Sequence, residues 1–521
     1  MQALLTFSPV RTIIVLRKKI HPKGAPTMPK TRKTIAALCA LTLVFALLLP
    51  FSTAVALEEE PLLAFYGADG LGKYTKGGRG GVIYVVTTLE DGPNIPGSLR
   101  EACEASGPRI VVFDVAGTIA LKSNLRVRNP YLTIFGQTAP GEGITLRDYT
   151  FSITADEVIV RNLRVRCGDV SDDDGMYIGN ANNVIVDHLS VSWGVDETFS
   201  IKRSNNVTMQ WCFVTEGLHD SVHPDGWLHS KGSLISGNDG QAVSLHHNLY
   251  AHNDARNPRF QGLKKPDEDS VGFFGDFTNN VVYDWGRKYA VKNLDVDEIC
   301  TINLINNYFI AGPSSEASNF MIDKNINTRL YFSGNYMNGK LPRDQYSLIT
   351  YEDFKKPDNG WKHDAPFENG MSIIESAEQA YARVIANGGA ALARDAVDKR
   401  IVNEVLRGTG RVIDKPADGG GYPVLDTDPT RINAAVAAWE EAYGFHPYDP
   451  VEGRKLSPDG YSYIEMFANG MMDYLYEEDL PFPRFDNTWQ WFRNIGYRIF
   501  RLWGQVKRFF ISVWDTIVSW F

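Results

Sequence analysis

Short apolar runs, several of them entered through a pair of asparagines, recur along the middle of this chain. Asn182-Asn183 leads into Val184-Ile185-Val186, and Asn205-Asn206 leads into Val207-Thr208-Met209. Short segments rich in Val and Ile and bounded by Asn, Gly and Asp are typical of β-strands. Strands are predicted at Val82–Thr87, Ile110–Val115, Leu132–Phe135, Val158–Arg161, Val184–Asp187, Val207–Gln210, Val243–His246, Val281–Tyr283, Ile302–Ile305 and Leu330–Phe332.

The spacing of these runs predicts how they are arranged. They begin again after roughly 20 to 40 residues, and no helical period separates them. A repeat with variable insertions indicates a solenoid, and β-runs of this kind indicate a parallel β-helix, with Val and Ile pointing inward and Asn at left-handed corners. A β-sandwich is the alternative, but the tight Asn-Gly hairpin turns that it requires are scarce.

Helical periodicity is found outside the strand repeats. A short helix is predicted over Ser98–Ala105, and apolar residues at helical spacing predict further helices within Ser376–Leu406, Thr430–Tyr443 and Ile464–Met471. The fold class is therefore expected to be all-β, a parallel β-helix solenoid with a C-terminal helical appendage. The predicted segments are 1–56 as a signal peptide, 57–345 as the solenoid, 346–413 as helical and loop residues packing on or capping it, 414–486 as a linker with a small helical region, and 487–521 as an amphipathic tail helix.

The first 56 residues have the order of a secretory signal peptide. They hold eight Lys and Arg residues and no Asp or Glu. A basic run at Lys30–Lys33 precedes the apolar segment Ile35–Leu49, and Ala54–Ala56 offers a small-residue cleavage site. The apolar segment is short for a membrane span. We therefore predict secretion, with Met28 as an alternative start.

The segment 487–521 combines an apolar stripe at helical spacing with basic residues. The stripe consists of Ile495, Ile499, Leu502, Val506, Phe509, Val513, Ile517 and Trp520. Such a helix suits contact with a membrane surface, which would associate the secreted protein with the cell surface. It equally suits packing on the domain or on a partner subunit, and both interpretations stay open. The chain is otherwise expected to be a monomer.

The net charge limits which binding partners are expected. Removing 1–56 takes away eight positive charges, so the formal net charge falls from −9 to −17. Nucleic acid is therefore not expected as a partner, whereas an acidic substrate is compatible with a locally basic or metal-holding site.

The cysteines after residue 56 match no metal-binding spacing; they are Cys103, Cys167, Cys212 and Cys300. Cys167 and Cys212 lie on or beside strand-like runs and are expected to be buried thiols rather than a disulfide.

Charged residues able to do chemistry cluster beside the predicted strands, and four motifs accompany them. The charged residues are Asp172, Asp173, Asp174, Asp196, Lys231, Arg256 and Arg259. The motifs are Val184-Ile185-Val186-Asp187-His188 with Ser190-Val191-Ser192-Trp193, His229-Ser230-Lys231 with Leu234-Ile235, His247-Asn248-Leu249-Tyr250, and Arg256-Asn257-Pro258-Arg259-Phe260. Together, in this order, they resemble the pectate lyases of polysaccharide lyase family 1, over about Ala64–Tyr336.

The resemblance implies a right-handed parallel β-helix that cleaves polygalacturonate or pectin by β-elimination, leaving 4,5-unsaturated oligogalacturonates and using Ca²⁺. That reaction removes the proton at C5, beside the C6 carboxylate. This proton is weakly acidic because the carboxylate is already charged, so a site must neutralise the carboxylate, stabilise the enolate-like state and hold a base at C5. Calcium suits the first task, since it takes many oxygen ligands and can bridge protein and substrate carboxylates.

The resemblance also implies residue roles. Arg256 aligns with the catalytic base, while Lys231 and Arg259 pair with substrate carboxylates; Lys231 is the second candidate base, because lysine shifts its pKa more readily. An alkaline optimum would follow from a guanidinium base. The implied calcium ligands are Asp172, Asp173, Asp174 and Asp196.

This chain departs from the family pattern at two positions. Ser200 stands where a further acid is expected, with Glu197 as a neighbouring substitute, and Gln261 stands where a second Arg often lies. These departures leave the number of calcium sites open. The spacing of the histidines could suggest zinc, but hydrogen bonding within the solenoid explains them better. The zinc candidates are His219, His223, His229, His246, His247 and His252.

Two other functions stay as alternatives. A solenoid hydrolase could use paired carboxylates such as Asp173 and Asp196, and it would release reducing ends without the unsaturated product. A non-catalytic carbohydrate-binding solenoid would bind pectate without turnover. The sequence does not distinguish methylated from unmethylated substrate, or endo from exo cleavage.

Overall fold

The structure, a computed structural model, describes residues 61–262, 270–286, 289–293, 299–316, 321–323, 328–351 and 362–476. The predicted signal peptide and the predicted tail helix 487–521 lie outside these residues. In the part of the chain that is described, no helix is long and apolar enough to cross a membrane. The division into five segments stays a prediction.

Parallel strands, numbered in chain order, form three sheets. The first sheet contains β1 Val82–Val86, β2 Arg109–Phe113, β5 Leu132–Phe135, β8 Val158–Arg161, β11 Asn182–Asp187, β14 Asn205–Gln210, β17 Ala242–His246, β20 Phe273–Thr278, β23 Cys300–Ile305 and β26 Thr328–Ser333. The second sheet contains β3 Gly117–Ala120, β6 Ile144–Arg147, β9 Arg164–Arg166, β12 Ser190–Ser192, β15 Phe213–Thr215, β18 Leu249–Ala251, β21 Val281–Tyr283, β24 Tyr308–Ile310 and β27 Tyr336–Met337. The third sheet contains β4 Leu125–Val127, β7 Phe151–Ile153, β10 Met176–Gly179, β13 Phe199–Lys202, β16 Leu234–Gly237, β19 Arg259–Gly262, β22 Val291–Asn293, β25 Met321–Asp323 and β28 Ile349–Tyr351.

Successive strands visit the three sheets in turn, which makes the molecule a parallel β-helix. After β11 in the first sheet the chain enters β12 in the second, then β13 in the third, and returns to pair β14 with β11. Equivalent apolar residues therefore stack from turn to turn, as Val184, Val207 and Val243 do in register, all fully buried. The predicted fold class, an all-β solenoid with C-terminal helices, is confirmed.

A ladder of asparagine side chains supports the corner between the first and second sheets. The Nδ2 of Asn248 donates to Oδ1 of Asn280 (2.9 Å), Asn280 donates to Asn307 (3.2 Å), and Asn307 donates to Asn335 (2.9 Å). Left-handed asparagines of the kind predicted lie at a different corner, where the chain enters the first sheet, with Asn183 at φ 56° and Asn206 at φ 52°. These hydrogen bonds satisfy buried polar groups once per turn.

The first helix packs against the apolar interior of the solenoid, and the later helices pack on its outer surfaces. They are α1 Leu99–Glu104, α2 Ala377–Asn387, α3 Ala396–Arg407, α4 Thr430–Tyr443 and α5 Tyr463–Gly470, with 3-10 turns at Gly136–Thr138, Gln345–Leu348, Ala391–Ala393, Pro416–Gly419 and Asp473–Tyr476. Helices α2 and α3 share an apolar cluster with second-sheet residues such as Phe213 and Leu249. Helices α4 and α5 cover Ile110 and Val112 of the first sheet.

The helical stretch 376–406 is two helices, because the chain passes close to the second sheet between them. Gly389 lies there at φ 73°, and a Cβ at this position would stand 2.8 Å from the Ser190 hydroxyl. The thiols of Cys167 and Cys212 are buried and form no disulfide, as predicted.

Candidate active site

The charged residues singled out in the sequence lie just before strands of the third sheet. Asp174 precedes β10, Asp196 precedes β13, Lys231 precedes β16 and Arg256 precedes β19. Isolated parallel bridges pair Glu197 with Lys231, and Lys231 with Ala255. Since the turns are stacked in register, residues from consecutive turns come together on one flank of the solenoid.

Three carboxylates meet at this flank. Asp174, Asp196 and Glu197 each place an oxygen within 4.8 Å of the others. The Oδ1 of Asp174 accepts a hydrogen bond from the Glu197 backbone N–H (3.0 Å). Burial and the Asp196 carboxylate raise the pKa of Asp174 to about 7, against the lowering effect of Lys202, whose Nζ lies 3.9 Å away. Three carboxylates that converge in this way offer the oxygen ligands that a hard divalent cation takes.

Of the predicted calcium ligands, the structure brings Asp174 and Asp196 together, and it places Asp172 and Asp173 outside this cluster. Asp173 is engaged locally, since its backbone carbonyl accepts from the N–H of Asp196 (3.4 Å) and its side chain accepts from the N–H of Asp174 (3.1 Å). Asp172 and Asp173 are exposed and line a separate cavity of about 820 Å³.

Glu197 completes the acidic cluster, although the sequence offered it only as a neighbour of the missing acid at Ser200. Its buried carboxylate accepts a hydrogen bond from Nη1 of Arg256. Burial and Arg259 lower the pKa of Arg256, whose guanidinium also hydrogen-bonds the Tyr289 hydroxyl. The partner of Arg256 is thus the acidic cluster itself. No sequence motif pointed to Tyr289, because it lies more than thirty residues along the chain, one turn later.

Lys231 and Arg259 extend the positive side of the site. The Lys231 Nζ lies 3.3 Å from Asp196 Oδ1, and the side chain lines a cavity of about 390 Å³ together with Trp227. Arg259 opens β19, half-buried, in register with Lys292 of β22. Gln261 lies two residues further along the same strand, facing the same way as Arg259.

Acids on two consecutive turns and cations on the next two turns therefore lie along one flank of the third sheet. Asp174, Asp196 and Glu197 could hold a metal ion, while Lys231, Arg256 and Arg259 could bind anionic groups of a ligand. The arrangement can neutralise one carboxylate of a bound molecule and offer a basic nitrogen to an adjacent carbon.

Comparison with known proteins identifies relatives that align over most of this chain and over nearly all of their own length. The chain is 36% identical over 432 residues to "Probable pectate lyase C" of Neosartorya fischeri, covering 80% of this chain and 95% of the relative. It is 37% identical over 428 residues to the protein of the same name from Emericella nidulans, covering 79% of this chain and 93% of the relative. A solved pectate lyase bound to hexasaccharide is 16% identical with a TM-score of 0.45, covering 63% of this chain and 98% of that one. No family model matches the chain.

Proposed function

The chain belongs to the pectate lyase family and is a polysaccharide lyase, and from that premise we propose that it cleaves polygalacturonate by calcium-dependent β-elimination. The observation that carries the proposal is the meeting of Asp174, Asp196 and Glu197 with Lys231 and Arg256 on one flank. The products would be oligogalacturonates with a 4,5-unsaturated end.

Asp174, Asp196 and Glu197 are the residues that would hold calcium. The fit is chemical: all three offer oxygen ligands, and Asp174 is buried with its pKa raised to about 7. Bound calcium would supply neutralisation of the substrate carboxylate beside the reacting carbon. Glu197 would then compensate for the acid that the family pattern gives at the position of Ser200.

The remaining roles belong to nitrogen atoms of this chain. Arg256 would take the C5 proton, since burial and the neighbouring Arg259 lower the pKa of its guanidinium. Lys231 and Arg259 would pair with substrate carboxylates and stabilise the negative charge that develops as the proton leaves. Lys231 is the second candidate for the base. Activity is expected to rise toward alkaline pH, because more of the base is then unprotonated.

The test is the ultraviolet absorbance of the unsaturated product on polygalacturonate, with calcium and with a chelator. We expect a rise that the chelator stops. Arg256→Ala should lower kcat by at least about a hundredfold while circular dichroism shows a folded protein; its unfolding temperature should fall, because the change leaves the buried Glu197 without its cation. Arg407→Ala, an exposed arginine on α3, is the matched control. No calcium-dependent rise at neutral or alkaline pH would overturn the proposal, and reducing ends without absorbance would favour a hydrolase.

Family membership favours the lyase over the two alternatives raised by the sequence. A non-catalytic binding solenoid would show pectate binding without turnover, which the same assay measures.

We also propose that the protein is secreted and acts on pectin outside the cell as a monomer. The proposal of secretion rests on the signal-peptide pattern of 1–56. Contact with the cell surface through 487–521 is tested by truncation after Asp486: the proposal of a membrane-associated tail predicts lost liposome binding, and unchanged binding contradicts it.

A further inference from the structure

Two histidines converge on the same oxygen of Asp196 that Lys231 contacts. The Nε2 of His229 lies 3.5 Å from Asp196 Oδ1, and the Nε2 of His223 lies 3.9 Å from it. One donor atom from each of these three residues lies within 4.8 Å of the other two. The imidazole rings stack, with centroids 3.8 Å apart. His223 and His229 come from the loop that precedes Lys231.

The hydrogen bonds of both imidazoles show which nitrogen is available to a ligand. The Nδ1 of His229 lies 2.7 Å from the carbonyl oxygen of Trp227, which can only accept, so Nδ1 carries the proton. The Nδ1 of His223 lies 2.8 Å from Oδ1 of Asp225 and 3.3 Å from the Asp225 backbone N–H. The shorter contact is to a carboxylate oxygen, which can only accept, and it favours the proton on Nδ1. Each neutral ring then presents the lone pair of Nε2. Metal-bound histidines are oriented in this way, by a carbonyl or a carboxylate on the other nitrogen.

His229 supplies an independent sign that a ligand belongs here. Its side chain is almost fully buried, at 3% exposure, and its Nε2 has no hydrogen-bond partner. This nitrogen instead faces oxygens of Asp196 at 3.5 Å and Asp225 at 3.6 Å. A lone pair facing carboxylate oxygens in a buried position is repulsive unless a cation lies between them.

The donor set selects the kind of cation. Calcium takes oxygen ligands, whereas two imidazoles with a carboxylate suit zinc, cobalt, nickel or copper ions. In a tetrahedral zinc site each nitrogen or oxygen ligand atom lies about 2.0–2.2 Å from the ion. Two such ligand atoms therefore lie roughly 3.3–3.5 Å from each other. The distances of 3.5 and 3.9 Å to Asp196 need only a small adjustment to reach that geometry.

We propose that Asp196, His223 and His229 form a site for a divalent transition-metal ion of the zinc class, beside the calcium site and sharing Asp196 with it. A carboxylate has two oxygens, so Asp196 can serve both cations. The ion fixes the loop that carries Trp227, whose side chain is 77% exposed beside the cavity of Lys231. The site rests on the proposed function only through the shared Asp196.

The experiment is isothermal titration of the metal-stripped full chain with ZnCl₂, in saturating CaCl₂ so that calcium sites are filled. We expect about one zinc per chain, and Co²⁺ in its place should give the visible bands of a tetrahedral ion. His223→Ala should weaken zinc binding by about a hundredfold, and Asp225→Asn by about tenfold or more. His219→Ala is the matched control, because His219 lies in the same loop and its side chain is also 18% exposed.

Absence of zinc binding would overturn the site. Equal loss in His219→Ala and His223→Ala would overturn it as well. Asp174→Asn separates the two proposals: it should abolish calcium-dependent cleavage while zinc binding persists. Circular dichroism of each variant checks the fold, and Asp225→Asn keeps the test independent of the buried His229.

Discussion

At the scale of single residues, Glu197 joins the two halves of the site. Its backbone N–H donates to Asp174 and its carboxylate accepts from Arg256. One side chain therefore serves both the acids that would hold calcium and the candidate base. Removing the negative charge of Glu197 should affect both the calcium ligands and the candidate base. Glutamine is the informative substitution, because it removes the charge and keeps the size of the side chain.

Glu197→Gln should raise the calcium concentration needed for half-maximal activity by about tenfold or more, which corresponds to about 1.4 kcal/mol of binding energy. The physical reason is the loss of one of three negative charges around the cation. Calcium titration of the lyase rate measures it. Glu440→Gln, an exposed acid on α4, is the control, and an unchanged calcium dependence in Glu197→Gln would remove Glu197 from the metal site.

The sequence predicted the composition of this site better than its geometry. Asp174, Asp196, Lys231 and Arg256 all reach one flank, because motif order fixes which turn each belongs to. Among the consecutive Asp172, Asp173 and Asp174, however, only backbone direction decides which carboxylate turns inward. That direction depends on hydrogen bonds to the neighbouring turn, such as those from Val195 and Asp196 to the Asp173 carbonyl, and a single sequence does not contain it.

A buried histidine makes stability depend on pH in the alkaline range where activity is expected. His252 Nδ1 lies 2.7 Å from Asp284, and Nε2 lies 3.3 Å from Glu404 of α3. Burial disfavours the charged ring, but these carboxylates outweigh it and raise the pKa of His252 to about 9 from its ordinary 6.5. A pKa raised in the folded state stabilises the fold below pH 6.5, and this contribution disappears as pH rises toward 9.

His252→Gln should therefore flatten the loss of stability over that range, by up to about 3 kcal/mol. Urea unfolding at a series of pH values measures the slope. His446→Gln, an exposed histidine after α4, should leave the slope as in the parent protein. A His252→Gln slope equal to the parent's would contradict the assignment.

At the scale of elements, the first sheet was predicted almost strand by strand, and the other two sheets were largely missed. First-sheet strands are mostly four to six residues long and rich in Val and Ile. Strands of the other sheets often have three or four residues, and some bury polar side chains, as β9 does with Arg164 and Arg166. The predicted run Val281–Tyr283 belongs to the second sheet, and the preceding β20 was missed because glycine and aspartate interrupt it.

Helix α3 and its N-cap residue supply the carboxylates that neutralise the buried arginines of β9. Arg166 Nη2 lies 2.7 Å from Asp395 and 2.9 Å from Asp398, with all three side chains fully buried. Asp395 also caps the N-terminus of α3 by accepting from the Asp398 N–H. The short second-sheet strand and the helix therefore depend on each other.

Arg166→Met should destabilise the protein by about 3–5 kcal/mol, because it removes the cation that contacts both Asp395 and Asp398 and leaves only Arg164, 3.7 Å from Asp395, near these buried carboxylates. Denaturant unfolding measures the change. The control is Lys399→Met on the same helix. The Lys399 side chain is 63% exposed and pairs with Glu142, so losing this pair should lower the free energy of unfolding by less than about 1 kcal/mol. Equal effects for the two substitutions would show that the buried network does not hold α3.

At the scale of the whole molecule, an acidic chain places positive charge along the third sheet. Arg126 on β4, Lys202 on β13, Arg259 on β19 and Lys292 on β22 are exposed or half-buried. Adjacent strands lie about 4.8 Å apart, so these cations form a strip that crosses the site. Such a strip suits a linear polyanion like polygalacturonate, because each sugar unit carries one carboxylate that a cation of the strip can pair with.

The far end of this strip should contribute to binding long substrates and not to chemistry. Arg126 and Arg128 line the cavity of about 820 Å³, and β4 lies two strands from β10. The double change Arg126→Gln, Arg128→Gln should raise KM for polygalacturonate by about threefold to tenfold, from two exposed ion pairs, with kcat unchanged. Added salt should shrink the difference, because exposed pairs are screened.

Trigalacturonate is the discriminating substrate, because a short chain bound at Arg256 is not expected to reach β4. Its KM should be the same for the double variant and the parent protein. Arg407→Gln, which removes an exposed charge from α3, should change neither substrate's KM. If the double variant lowers kcat, or weakens the trimer as much as the polymer, the charged strip does not act as an extended binding surface and the two arginines act on the site itself.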